Sequence, residues 1–416
     1  MAKNQIVTGL DIGTSTIKIL VAEKNGNEWQ VLSYAQIPSF GLRRGAVVNA
    51  EETAKNIQLL IDGVQKDIGR KISAVFVNIG GSHLYVAPSD GLISVSRADK
   101  IISQEDIDRV LEATKSINIP LNEEILDVFP KEFIIDEQKG IKQPLGLTGV
   151  RLEAKVVLLC YFQLYFINLT QAVLNAKLQI DDVIPSPIAA AQACLTRQQK
   201  EIGAALIDIG HSTTSLAVFD EGDLIHLAIF PLGSANITND IAIGLKTDVA
   251  TAENIKKEYG TCMVSSSEKR RKMVDKKDKQ KIEVFEASEE IAFTKKNLVD
   301  IIEPRVSEIM DLVQKELKKI GRHELLPGGV VLTGGGAKLP KIKELAKHVL
   351  KLSVEVGVPK GINGLEQDSA LATVVGLILG SADYDSPDTG AMLGFSTGFL
   401  KDLNLKLKRM FRVFIP

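Results

Sequence analysis

The chain has 416 residues, 45% apolar and 25% charged, which suits folded protein and leaves room for about two to four domain-sized units. A formal net charge of −2 excludes the strongly basic surface of a general nucleic-acid binder. Three scattered cysteines (Cys160, Cys194, Cys262) and five dispersed histidines form no disulfide framework and no metal-ligand spacing, which points to a reducing, cytosolic setting. The opening MAKNQIVTGLDIG lacks the apolar core of a signal peptide. No apolar run approaches the roughly 18–20 residues that cross a bilayer.

Three strands are expected first: an apolar run at 6–12, an alternating one at 17–23, and 28–37 after a turn at Asn25-Gly26-Asn27. A helix over 52–68 places Ala54, Ile57, Ile61, Val64 and Ile68 on one stripe, and 72–79 reads as a buried strand. The texture then changes over 83–161. Ser103 and Asp106 have capping-box spacing at the head of a helix carrying Ile107, Val110, Leu111 and Thr114. Strand-like pieces at 125–135 and 152–161 flank it. The segment reads as an inserted α+β subdomain; extra strands of the main sheet are the alternative. The core pattern resumes with a helix near 162–177, a strand at 179–184 and a helix from Pro187.

The second half repeats the opening, with strands at 204–209, 214–220 and 224–230 and a turn at Glu221-Gly222. Helices fit 237–245 and 250–259. Residues 265–281, dense in charges of both signs, read as a solvated loop. A long helix covers 295–320, a strand at 329–332 runs into Gly334-Gly335-Gly336, and a helix follows Pro340. The last core helix is expected at 367–379 and a flexible linker at 381–398. The expected organisation is a first lobe from 1–82, 163–198 and 367–380, with the insertion at 83–162. A second lobe follows at 199–366, with its own insertion at about 246–325, then a linker at 381–398 and a terminal helix at 399–416.

One stretch is written twice. Asp11 aligns with Asp208, Gly13 with Gly210, Ser15 with Ser212 and Thr16 with Thr213. That period is far too long for a solenoid and implies two similar halves facing across a cleft. Each Asp-x-Gly turn exposes backbone amides to an anion, with Thr14, Ser15 and Thr16 supplying hydroxyls and Lys18 a cation. Aspartates repel phosphate, so their sensible role is to hold a hydrated Mg²⁺, which tolerates one or two carboxylates. A hairpin aspartate taken singly is commonly a turn former; two at matching places argue for the clamp. The glycines at 334–336 permit close approach of a flat or charged ligand, or form a plain strand-to-helix loop.

The C-terminal segment carries a separate signal. At about 100° per residue, Leu400, Leu403, Leu407, Met410, Phe411 and Phe414 share an arc of roughly 100°. Lys401, Lys406, Lys408, Arg409 and Arg412 fill the remainder, with Leu405 and Val413 as exceptions and Asp402 as the opposing acid. Such a helix suits a membrane surface, its cations meeting anionic lipid at about 1 kcal/mol each. A helix packed on the body, or against a partner, is the alternative.

The two turns and the glycine-ended strand, in this order, resemble the nucleotide signature of the actin, sugar kinase and Hsp70 superfamily, over nearly the whole chain. PLGLTGVRLE (144–153), AENIKKEYG (252–260), NLVDIIEPRVSEIMDLV (297–313) and ALATVVGLILG (370–380) are similar to the FtsA family of bacterial division proteins. That family carries a subdomain, 1C, where the texture changes here. The resemblance implies an α/β, actin-like two-lobed fold of two ribonuclease H-like halves, with 1C inserted and a C-terminal amphipathic helix. It implies ATP and Mg²⁺ as ligands. Gly13, Thr14, Ser15, Thr16 and Lys18 would meet the phosphates from one side, and Gly210, His211, Ser212 and Thr213 from the other. Asp11 and Asp208 would serve the hydrated Mg²⁺. Glu253, Lys256 and Lys257 would contact ribose and adenine from one helical face, with Gly334, Gly335 and Gly336 against the adenosine.

Two departures are visible. His211 adds bulk where relatives usually keep glycine. Ser186 stands where active relatives carry Glu or Gln to orient the attacking water, so tight ATP binding with slow turnover is expected. The family's function implies head-to-tail filaments on the cytoplasmic side of the cell membrane at the division site. It implies contacts with anionic lipids, other division proteins and the C-terminal tail of tubulin-like FtsZ, the last near Arg305. A sugar or acetate kinase would need a carboxylate base, which is not placed here. An Hsp70-type chaperone would need a further β-rich domain. The pilus-assembly relative PilM would share the fold and use its partner cleft.

Overall fold

The computed structural model describes residues 5–26, 28–263, 282–286 and 289–384. Apolar strands β1 (Gln5–Ile12), β2 (Thr16–Asn25) and β3 (Glu28–Pro38) form an antiparallel meander. The β1–β2 register ends with Asp11 opposite Lys18 and Ile12 opposite Ile17, which sets the polar pair beside the turn. A short hairpin, β4 (Leu42–Arg43) and β5 (Ala46–Val47), leads to α1 (Ala50–Ile68). Asn49 caps that helix by accepting from the Glu52 N–H, and Gly69 ends it in the left-handed region. The helix therefore starts two residues before the expected position 52. β6 (Ala74–Ile79) then pairs parallel with β1.

The insertion has a sheet of its own. β7 (Tyr85–Ser94), α2 (Gln104–Thr114), β8 (Glu123–Ile135), β9 (Gln138–Ile141) and β10 (Arg151–Phe162) give an antiparallel sheet in the order β7-β10-β8-β9. The Ser103–Asp106 capping box is present. Ile102, Val110, Leu152, Leu158 and Cys160 form a separate apolar core. The alternative of extra strands in the main sheet does not hold. Lys142 of the insertion pairs with Glu221 and Asp223 of the second half, at 3.0 and 2.7 Å.

Helix α3 (Gln163–Asn175), β11 (Gln179–Pro185), α4 (Ser186–Cys194) and α5 (Arg197–Ile202) complete the first half's run. β12 (Ala204–Ile209), β13 (Thr214–Asp220) and β14 (Asp223–Phe230) repeat the meander, followed by α6 (Ser234–Leu245) and α7 (Val249–Tyr259). A ribbon of β15 (Ile282–Glu286) and β16 (Glu289–Phe293) precedes α8 (Lys295–Lys319). Pro304 lies inside α8 without ending it, because the buried Leu298, Ile302, Val306, Ile309 and Val313 anchor both sides of it. β17 (Val330–Thr333), α9 (Ile342–Leu350), β18 (Val354–Val356), β19 (Ile362–Asn363) and α10 (Ala372–Tyr384) follow.

The two main sheets share one plan. The first runs β3-β2-β1-β6-β11, with β19 added beside β3; the second runs β14-β13-β12-β17-β18. In each, an antiparallel meander adjoins parallel strands. Asp208 faces Ser215 across its hairpin much as Asp11 faces Lys18. Helix α10 returns to the first half and lies on α4. A Cβ on Gly376 would collide with the Ala189 carbonyl, so glycine sets that close approach. The 367–379 expectation is shifted: Asp368 accepts from the Ala370 N–H and holds 369–371 in a tight 3-10 turn, and α10 runs on to Tyr384. Residues 381–384 are thus helix, not linker; Ser381 is buried and donates to the Ile378 carbonyl. The rest of the linker and the terminal helix (Leu400, Leu403, Leu407, Lys408, Arg409, Met410, Phe411, Arg412, Phe414) lie outside the described residues, as does the whole charged 265–281 segment. Among the described residues, no helix is long and apolar enough to cross a membrane.

Candidate functional site

The matching ends of the two sheets face one open cleft of about 1050 Å³. Its two turns close with the same backbone bond: Gly13 N–H donates to the Thr16 carbonyl at 3.2 Å, and Gly210 N–H to the Thr213 carbonyl at 2.9 Å. Asp11, Gly13, Thr14, Ser15, Thr16, Lys18, Ser186, Asp208, Gly210, His211 and Thr213 line the cleft. So do Glu253, Lys256 and Lys257 of α7 and Gly335 and Gly336 after β17. Thr14 Oγ1 accepts from the Gly45 N–H at 3.0 Å, which ties the β4–β5 hairpin to the first turn and leaves the hydroxyl proton for another acceptor.

Two residues expected in the cleft stand outside its lining, and Arg305, expected at a partner contact, lies apart from it. Ser212 is not part of the cleft lining, and its Oγ is buried without a hydrogen-bond partner. Gly334 is also behind the lining; its φ is +85° and a Cβ there would strike Asp208 Oδ1. Its role is to make room for the carboxylate rather than for adenosine. Arg305 lies outside the cleft on α8, its Nε and Nη2 donating to Asp240 at 2.6 and 2.9 Å, with Glu308 also paired to it.

The floor of the cleft is acidic and tightly bonded. Asp11 Oδ2 meets Lys18 Nζ at 2.9 Å, and Asp11 Oδ1 accepts from Asn78 Nδ2 at 2.9 Å. Burial alone would lower the Lys18 pKa, but the Asp11 carboxylate more than offsets this and holds it above its ordinary value. Burial pushes Asp208 up to about 6; the negative charge of Asp11 adds to this, while Lys18 and the Thr373 hydroxyl oppose it. Two carboxylates in one cleft, one of them reluctant to ionise, form an arrangement that a divalent cation relieves. Beside Gly335 a Cβ would meet nothing within 4 Å, so the space next to that backbone is open. Acids on the floor, hydroxyls and lysines around them, and a bare glycine wall fit a metal-bound phosphate ester.

The α7 residues form a network. Lys256 is buried, and its ammonium donates to Glu253 Oε2 (2.6 Å), Thr238 Oγ1 (2.7 Å) and the Ser234 carbonyl (3.2 Å). All three of its donors are engaged within the lobe, so it orients Glu253 instead of reaching outward. Burial lowers the Lys256 pKa. Burial also raises Glu253, but hydrogen bonds from Lys256 and Thr238 win and hold it below its ordinary value. Lys257 is exposed, 3.4 Å from Glu253 Oε1. Sequence reasoning missed Asn78, a buried polar residue one place from the end of the apolar AVFVNI strand; that mismatch was its signal. It also missed the Lys338–Asp368 pair at the cleft edge.

Two sheets of one plan, with α4 packed against both and matching acid turns opening into a shared cleft, define the two-lobed actin-like class. Solved structures agree. MreB5 of Spiroplasma citri bound to ADP superposes with a TM-score of 0.53 at 14% identity, covering 93% of this chain and 98% of that one. The PilM-PilN type IV pilus biogenesis complex gives 0.64 at 19% identity, covering 90% and 97%. At sequence level, the pattern described as "Cell division protein FtsA" matches residues 205–376, and "SHS2 domain inserted in FTSA" matches 81–160. Cell division protein FtsA of Pseudomonas aeruginosa is 35% identical over 379 residues, 90% of this chain and 89% of that protein. Its counterpart in Bacillus subtilis is 35% identical over 378 residues, 91% and 84% respectively. The chain belongs to the FtsA family of cell division proteins.

Proposed function

We propose that the cleft binds Mg·ATP and that the bound form assembles into membrane-attached filaments that anchor the FtsZ division ring. The observation that carries this reading is the pair Asp11 and Asp208, delivered to one cleft by two hairpins of the same design. When bound, the cation supplies charge neutralisation for the phosphates. Asp11 and Asp208 hold it through water; Gly13, Thr14, Ser15, Thr16 and Lys18 bind the phosphates from one lobe, and Gly210, His211 and Thr213 from the other. The buried, unpartnered Ser212 Oγ stands in the same turn, ready to donate once the turn adjusts. Glu253, held by Lys256, takes the ribose, and Lys257 and the Gly335–Gly336 backbone flank the base. Ser186 is too weak a base to drive hydrolysis at an ordinary rate, so ATP serves to close the lobes.

Closed subunits stack head to tail, a heterologous contact that yields filaments. Many weak contacts between the 399–416 segment and anionic lipid then add to firm attachment on the cytoplasmic face of the membrane. The α8 helix around Arg305 is the proposed grip for the FtsZ C-terminal tail; its guanidinium is already oriented by Asp240. Calorimetric titration with ATP in magnesium and in EDTA tests the site. Magnesium-strengthened binding that disappears in Asp11→Asn is expected, and no binding under either condition would overturn the proposal.

A further inference from the structure

We infer that Asn78 is a positioning residue: it sets the Asp11 carboxylate for the hydrated cation and fixes the Ser186 hydroxyl beside it. The inference rests on the Mg·ATP reading above. Asn78 is the penultimate residue of β6 and is only 5% exposed. Its Oδ1 accepts from the Ile12 N–H at 2.7 Å, which settles the amide's orientation, since the reverse would set NH₂ against N–H. The two Nδ2 protons then have fixed destinations, Asp11 Oδ1 at 2.9 Å and Ser186 Oγ at 3.0 Å.

Every partner in this chain of bonds is thereby constrained. Lys18 holds the other Asp11 oxygen at 2.9 Å, so the carboxylate can neither rotate nor shift without breaking a bond. Ser186 gives its own proton to the Ile79 carbonyl at 3.1 Å and accepts from Asn78. One lone pair is left over on Ser186, which can accept a hydrogen bond from a water, while a neutral hydroxyl is too weakly basic to take its proton. A single buried amide therefore joins β1, β6 and α4 at the cleft floor. Holding an acidic ligand in place before the cation arrives is what preorganises a site whose cation keeps most of its own waters.

The test is binding of a fluorescent ATP analogue to the full chain, with magnesium and with EDTA. Its readout is the gain in affinity that magnesium gives. In Asn78→Ala that gain falls by about tenfold to a hundredfold, the worth of a hydrogen bond to a charged group. In an Asp11→Asn background the same substitution changes it less than twofold. Asn78→Ala also strips the Ile12 N–H of its acceptor, so Asn78→Asp serves as the second variant: it keeps an oxygen for Ile12 and loses both donations. A folded Asn78→Ala or Asn78→Asp protein with the wild-type magnesium gain overturns the inference and leaves the Mg·ATP reading standing. A wild-type protein with no magnesium gain overturns that reading and the inference with it.

Discussion

Asp208→Asn should make the nucleotide-free protein more stable at neutral pH while removing its response to magnesium. Burial and the charge of Asp11 move the Asp208 midpoint from its ordinary 3.8 to about 6. Well below pH 4 the carboxyl is protonated in both the folded and unfolded chain, and its burial carries no ionic cost. As pH rises the unfolded chain releases its proton first, and the folded state becomes progressively less favoured until the folded midpoint is passed. Above pH 6 the full cost is present, about 3 kcal/mol. Asparagine never ionises, so it avoids this cost. The advantage of the variant should grow between pH 4 and pH 6 and then level off. Thermal melts in EDTA read it as a Tm rise of roughly 3–6 °C at pH 7 and little difference at pH 4. A variant no more stable than wild type at pH 7, or equally advantaged at both pH values, would refute the reasoning.

Gly334→Ala combines a left-handed backbone with a clash against Asp208 Oδ1; it should cost about 1–3 kcal/mol of stability and weaken Mg·ATP binding, as measured by melting and titration of the same sample. Phe411→Glu should abolish pelleting with anionic liposomes, and an intact protein that fails to pellet would remove the membrane reading altogether. Phosphate release should run far below the rate of about 1–100 s⁻¹ seen in ordinary kinases; a rate within that range would contradict the role given to Ser186.

The hairpin repeat was readable in the sequence because a turn between two apolar strands leaves few alternatives: Asp11 and Asp208 arrive at equivalent register positions in both sheets. The Ser103–Asp106 box was readable for the same reason, since the cap is local. What escaped was set by contacts across the fold. The direction of Lys256 depends on α6, which supplies Ser234 and Thr238 from about 20 residues away. Gly334 looked like a ligand wall and is instead the space that Asp208 fills. Asn78 matters through Ile12 and Ser186, 66 and 108 residues distant, a separation that no periodicity encodes. The start of α10 moved because a side-chain cap at Asp368 competes with helical bonding.

A crystal structure of the full chain with ATP and magnesium tests the central claim most directly. The expected result is one nucleotide between the lobes, its cation held through water by Asp11 and Asp208 together. A nucleotide bound elsewhere, or a cation held by one lobe alone while the other aspartate faces solvent, would contradict it.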